Sequence, residues 1–127
     1  MENKELTRVL VVDDYIVNLE LTKEILESLQ CEVDTAENGE IALNLEADNP
    51  YDIILMDIQM PDMDGYEVTR KIRKREDGKK HTPIIAVTAN TSSGEQDNCL
   101  KAGMDGFVQK PIRSRDLENI LKKHIKS

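Results

Sequence analysis

With 127 residues and no long structureless tract, the chain has the length of one compact domain. Its formal net charge of −8 argues against a duplex nucleic-acid footprint, which needs a basic face. No apolar run approaches the ~20 residues of a membrane span, so no membrane insertion is expected.

Hydrophobic residues make up 39% of the chain and charged residues 33%, enough for one core under a well-solvated surface. With one Phe, three Tyr and no Trp, that core must be built from Val, Ile, Leu, Met and Ala. Met1–Glu5 carries no secretory apolar region. Cys31 and Cys99 form neither a metal pair nor a redox motif, and reduced thiols in the cytoplasm are the expectation.

In chain order, the first apolar run is Val9-Leu10-Val11-Val12, which stops abruptly at Asp13-Asp14. Val17, Leu21, Ile25 and Leu29 then recur at i+4, predicting a helix with one apolar stripe. Cys31 to Ala36 alternates and reads as an edge or half-buried strand. Gly39 to Ala47 suits a helix with Ile41, Ala42 and Leu45 on one side. Ile53-Ile54-Leu55-Met56 is the next strand, and Asp64 to Arg75 the next helix, with Tyr66, Val68 and Ile72 facing inward. Ile84-Ile85-Ala86-Val87 follows. Continuous four-residue apolar runs suit strands buried on both faces of a parallel sheet.

The helix predicted for Ser92 to Ala102 has Ser92 and Ser93 as candidate caps and Gly103 as a stop. Cys99 and Leu100 are its only large apolar residues, so it should be the most weakly held of the five. Gly106-Phe107-Val108-Gln109 is the last strand. A final helix carries Leu117, Ile120, Leu121 and Ile125, with Lys122, Lys123 and Lys126 complementing its macrodipole. Strand and helix alternating five times predict an α/β doubly wound fold with right-handed crossovers. One domain is expected over residues 1–127, with its core at about 8–125.

Open α/β sheets bind ligands beyond the carboxyl ends of their strands. The residues there are Asp13 and Asp14, Asp57, Thr88 and Lys110. Two carboxylates about 4 Å apart repel by roughly 4 kcal/mol at a surface-like dielectric, so a cluster of three needs a cation or raised carboxyl pKa values. Oxygen ligands without His or Cys favour Mg²⁺ or a similar ion over zinc. With Lys110 and Thr88 alongside, the site suits a phosphoryl group, and Asp57 could serve as a carboxylate nucleophile. Singly, each residue has a plainer reading: an Asp or Thr at a strand end usually caps or turns the chain, and a Lys before Pro111 is usually surface. The convergence of complementary groups at four of five strand ends outweighs those readings. Glu24, Glu27, Glu46 and Asp48 read as solvated helix faces, and Asp62 and Asp64 as turn and cap residues.

Val11-Val12-Asp13-Asp14, Met56 to Gly65, Ala86-Val87-Thr88-Ala89 and Lys110-Pro111 together resemble the receiver domain of two-component response regulators, most closely receivers of hybrid histidine kinases. The resemblance runs from about Arg8 to about Lys122. It implies a flavodoxin-like five-stranded parallel sheet in the order 2-1-3-4-5 with five helices. It implies Asp57 as phosphoacceptor, with Asp13, Asp14, Asp57 and the backbone carbonyl of Gln59 as ligands of Mg²⁺ or Mn²⁺. Thr88 and Lys110 would contact the phosphoryl group, Phe107 would be the switch aromatic, and the Lys110-Pro111 bond would be cis. The implied partner is a histidine kinase or a histidine phosphotransfer domain. The domain would promote its own phosphorylation and dephosphorylation without being a conventional turnover enzyme, would touch no nucleic acid, and would be a monomer or weak dimer.

Tyr15 departs from the Asn common in hybrid-kinase receivers and reads as a packing residue at a helix start. Three other classes stay open. An aspartyl-nucleophile phosphatase would usually have an acid where Gln59 stands. A nucleotide-binding domain would want a Gly-rich loop where Asp13-Asp14-Tyr15 stands. A receiver that binds partners without phosphorylation would not need all five site residues.

Overall fold

The computed structural model describes residues 6–125. The ends of the single-domain reading, the Met1–Glu5 segment and Lys126 lie outside the described residues. Strands β1 (Thr7–Val12), β2 (Cys31–Ala36), β3 (Ile53–Asp57), β4 (Ile84–Thr88) and β5 (Gly106–Gln109) alternate with helices α1 (Ile16–Ser28), α2 (Gly39–Asp48), α3 (Gly65–Glu76), α4 (Ser93–Ala102) and α5 (Ser114–His124). The strands form one parallel sheet in the order β2-β1-β3-β4-β5.

Side-chain alternation along β1, β3 and β4 divides the interior into two apolar layers. Leu10, Val12, Ile54, Met56, Ile84 and Ala86 face α2, α3 and α4 through Ala42, Leu43, Val68, Ile72 and Cys99. Val9, Val11, Ile53, Leu55, Ile85 and Val87 face α1 and α5 through Leu19, Leu26 and Leu117. This two-sided burial is why the three central strands read as unbroken apolar runs. The edge strands β2 and β5 are only partly buried.

Two sequence expectations about helix faces are corrected. In α1 the residues turned to the sheet are Leu19, Thr22 and Leu26, whereas Val17 is 49% and Leu21 56% exposed. Of the predicted stripe, Ile25 and Leu29 do pack partly buried against the core, so the i+4 row runs from the exposed face of α1 onto the covered one. In α2, Ala42 and Leu43 are buried while Ile41 stands at the surface. Glu46 is not a solvated residue: it is buried and paired with Arg75 Nη1 at 3.0 Å, tying α2 to α3. Tyr15 does not pack; it is the N-cap residue of α1 and its side chain is exposed.

The other punctuation holds. Asp64 caps α3 by accepting from the Glu67 amide, and Asp62 adopts a positive φ of 69° in the preceding turn. Ser92 caps α4 through the Glu95 amide, and Gly103 ends it at φ 102°. Helix α4 buries only Cys99 and Ala102; Leu100 faces solvent.

One polar bracket closes the end of the sheet opposite the strands' carboxyl ends. Arg73 of α3 donates to the Gly103 carbonyl, the Thr82 carbonyl, Glu76 and Asp105, at 2.9, 2.9, 2.8 and 2.7 Å. Glu76 is buried and also accepts from the Thr82 amide. Burial alone would raise its carboxyl pKa, but the Thr82 amide and Arg73 guanidinium more than offset this and hold it below the ordinary value. Helix α5 returns to the same end, where a Cβ built on Gly106 would come within 3.7 Å of the His124 ring. Replacing Arg73 with Met strands a buried carboxylate, and chemical denaturation should register a loss of about 3–5 kcal/mol; a loss below about 1 kcal/mol would show the bracket to be dispensable.

Candidate functional site

The sheet order reverses between β1 and β3, and the acidic residues gather beyond their carboxyl ends. Asp13 directly follows β1, its amide donating to the Ala36 carbonyl and its Oδ1 accepting from the Tyr15 amide. Asp57 ends β3 and is 2% exposed. One carboxylate oxygen from each of Asp13, Asp14 and Asp57 lies within 4.8 Å of the others. Asp13 is buried and Asp14 exposed, so the cluster opens to solvent on the Asp14 side.

Lys110 follows β5 and carries its ammonium back over the cluster, 3.0 Å from Asp57 Oδ1 and 3.8 Å from Asp13 Oδ2. Its backbone amide is fixed by the Thr88 carbonyl at 2.8 Å, and the Lys110-Pro111 bond is cis, as the resemblance implied. Thr88 ends β4, next to Val87, the register partner of Asp57. Its hydroxyl is engaged with its own loop, donating to the Asn90 carbonyl at 3.1 Å and accepting from the Asn90 amide at 3.0 Å. The plain turn-forming reading of Thr88 thus describes the hydroxyl in this state. Gln59 is exposed on the α3 and α4 side of Asp57. Phe107 is 40% exposed on β5, away from the carboxylates and over a cavity shared with Ile120 and Lys123 of α5.

Gly65 was readable as part of the Met56–Gly65 segment but not as a steric requirement. A Cβ there would sit 2.4 Å from the Asp57 carbonyl oxygen and 2.9 Å from the Met56 side chain. The Gly65 amide donates to the Ile58 carbonyl, so the start of α3 rests directly on the strand end that carries Asp57. Asn90, which the resemblance already marks as a position that tunes phosphoryl lifetime, is the partner of the Thr88 hydroxyl.

The electrostatics are unbalanced among the protein's own groups. At an effective dielectric near 20, each pair of carboxylates this close repels by about 3.5 kcal/mol or more. Burial pushes the Asp57 carboxyl up, the Lys110 hydrogen bond pulls it back, and Asp13 and Asp14 raise it again, leaving it at about 6 against an ordinary 3.8. Its Oδ2 is buried with no hydrogen-bond partner. An orphaned buried carboxylate oxygen, beside two more carboxylates and no nitrogen or sulfur donor, fits a hard divalent cation. Opposite ligands of Mg²⁺ stand about 4.2 Å apart, close to the spread of this cluster.

The family model for the response regulator receiver domain matches residues 9–122. Among curated proteins, the chain is 45% identical over 98% of its length to hybrid signal transduction histidine kinase L of Dictyostelium discoideum, and covers 8% of that protein. It is 41% identical over 91% of its length to sensor histidine kinase GacS of Pseudomonas protegens, and covers 13% of it. The chain therefore spans only a small part of these relatives. Among solved structures, the receiver domain of a Pseudomonas aeruginosa sensor histidine kinase superposes with a TM-score of 0.87 at 39% identity, covering 97% of this chain and 100% of that one. That domain holds a magnesium ion in its active-site cleft. Chemotaxis protein CheY4 of Vibrio cholerae gives 0.89 at 30% identity, covering 95% and 100%.

A carboxyl whose pKa is raised by folding keeps a proton that the unfolded chain has already released. Stability therefore falls as pH rises from about 4 through about 6 and stays lower above that. Asp57→Asn removes the cost. In the presence of a chelator the variant should be more stable than wild type by about 1–3 kcal/mol near pH 7.5, with the advantage fading toward pH 4. Denaturation midpoints at the two pH values check this, and an advantage that does not shrink toward pH 4 contradicts it.

Proposed function

The chain belongs to the response regulator receiver domain family, and on that premise we propose that it takes a phosphoryl group onto Asp57 from a phosphohistidine donor. The observation that carries the proposal is the buried Asp57 carboxylate, held by Lys110 within a three-carboxylate cluster. One Asp57 oxygen attacks phosphorus as the P–N bond to imidazole breaks, and the departing imidazole keeps the electron pair. Lys110 offsets charge on the transferred oxygens, and the Thr88 hydroxyl turns from Asn90 to donate to one of them.

A bound Mg²⁺ or Mn²⁺, held by Asp13, Asp14, Asp57 and the Gln59 carbonyl, would neutralise the carboxylates and the incoming phosphoryl charge. Phe107, at the surface of β5, then changes position with α4 and alters the face made by α4, β5 and α5. The domain acts as an acceptor rather than a turnover enzyme. No described helix is long and apolar enough to cross a membrane, and the two buried free cysteines suit the cytoplasm.

The donor is a macromolecule, a histidine kinase or a histidine phosphotransfer domain, and a surface for it adjoins the site. Tyr15, Ile16, Val17 and Leu21 are 58, 56, 49 and 56% exposed along one helix. Beside them a groove of about 350 Å³ runs between α1 and the segment after β5, walled by Leu21, Ile25, Pro111 and Ile112 and reaching Asp13 and Lys110. An apolar patch of this kind at the mouth of a reactive site marks a partner surface. A donor seated there would present its phosphohistidine to Asp57.

Mass spectrometry after incubation with acetyl phosphate or a phosphorylated donor domain tests the chemistry. One phosphoryl increment should appear with Mg²⁺, and it should be absent with a chelator or in Asp57→Asn. Undiminished incorporation in Asp57→Asn would end the assignment. The docking surface has its own test, because Leu21→Asp should slow transfer from a protein donor at least tenfold while leaving phosphorylation by acetyl phosphate within about twofold. Equal slowing with both donors would mean that the substitution acts on the site and not on docking.

A further inference from the structure

Charge is sorted along this chain. Residues 9–69 hold 16 acidic side chains and one basic one, Lys23, whereas residues 70–81 hold seven of the 17 basic residues. The fold sets the helices that carry them on opposite sides of the sheet, α1 on the apolar layer around Leu26 and α3 on the layer around Ile72.

Burial of Val68, Thr69, Ile72 and Glu76 turns Arg70, Lys71, Lys74 and Arg75 of α3 outward, and Lys79 and Lys80 continue the row past the helix end. Three of these cations are already engaged: Lys71 with Glu67 at 3.9 Å, and Arg75 and Lys80 with Glu46 at 3.0 and 4.0 Å. Arg70, Lys74 and Lys79 are exposed and have no ion-pair partner among the described residues. On α1, burial of Leu19, Thr22 and Leu26 turns Glu20, Glu24 and Glu27 outward. These acids are likewise exposed and without an ion-pair partner among the described residues.

The two rows agree in spacing as well as in sign. Glu20, Glu24 and Glu27 recur once per turn, as do Arg70 and Lys74, so each row advances by about 5.4 Å. We propose that the α3 face of one molecule docks on the α1 face of a second copy of this chain, pairing Arg70, Lys74 and Lys79 with Glu20, Glu24 and Glu27. Because the two faces lie on opposite sides of the sheet, the contact is heterologous and each copy engages two neighbours. A duplex or an anionic membrane is a poorer occupant, since the net charge of −8 repels a broad anionic surface. Glu67 at the head of the basic row and Asp77 within it add to that repulsion. Exposed ion pairs are individually weak and screened by salt, so the association belongs to high protein concentration. It does not depend on the chemistry at Asp57.

Sedimentation equilibrium of the intact chain at up to about 1 mM tests this, because a millimolar dissociation constant is the weak limit of specific association. At about 50 mM salt the apparent mass should rise with concentration above the monomer's 14.4 kDa, and at about 500 mM it should return to it. Arg70→Glu, Lys74→Glu and Lys79→Glu together should hold the chain monomeric, as should Glu20→Lys, Glu24→Lys and Glu27→Lys together. Mixing the two variants makes the faces complementary again, and association should return. Arg115→Glu, Lys122→Glu and Lys123→Glu, at exposed positions on α5, change net charge as much as the α3 variant does and should leave association in place. In wild type, dilution should shift amide resonances on α1 and α3 and spare α4 and α5, a readout that needs no variant to fold. The proposal is overturned if wild type stays monomeric at 50 mM salt, if the dilution shifts fall on α4 and α5, or if the α5 control dissociates as fully as the α3 variant. A monomeric wild type that binds phosphatidylserine vesicles, with binding lost in the α3 variant, also overturns it and gives the basic row to a membrane.

Discussion

The charge balance at Asp57 organises the rest of the molecule. A carboxylate at 2% exposure, with two others within 4.8 Å, is a local instability that hydrophobic packing has to carry. The Lys110 ammonium offsets only part of it, which is why Asp57 settles at about 6 and not at its ordinary value. The remainder is a standing demand for positive charge. A divalent cation would meet that demand, and the phosphoryl transfer proposed above would take place beside the charge it supplies. Burial first, and repulsion from Asp13 and Asp14 after it, set the cost of this carboxylate.

That repulsion can be sustained because the groups that create it stand on the stiffest part of the fold. Asp13 and Asp57 extend from β1 and β3, whose side chains are buried on both faces of the sheet. Lys110 is set by a backbone bond to the Thr88 carbonyl, and α3 lies directly against the Asp57 carbonyl through Gly65. The less buried parts lie elsewhere: the N-terminal half of α4 and Phe107, which is exposed. Rigid charges beside a loosely held helix suit a device that converts a local electrostatic event into a change of surface.

The sequence was informative where one physical requirement dominated. Runs such as Val9–Val12 and Ile53–Met56 suit two-sided burial, and each is followed by an aspartate of the acidic cluster. The capping roles of Asp64 and Ser92 were legible because caps are local. What escaped notice depended on partners distant in sequence. Helix α1 has two apolar faces, and only the sheet decides that Leu26 is covered and Leu21 is not. Glu46 looked like any solvated acid until Arg75, from another helix, closed over it. The clearance at Gly65 is a property of a packed interior, invisible in a linear string.

All five strands run the same way, and α5 returns to the end where β5 begins, leaving His124 beside Gly106. The first strand starts at that same end of the parallel sheet. Entry and exit of the described chain therefore share one pole, and Asp57 occupies the other. In mechanical terms the described chain is braced at the pole where it enters and leaves, and the acidic cluster stands at the other. The bracket ties α3 to the C-terminal end of α4 and to the residue before β5, through Gly103 and Asp105.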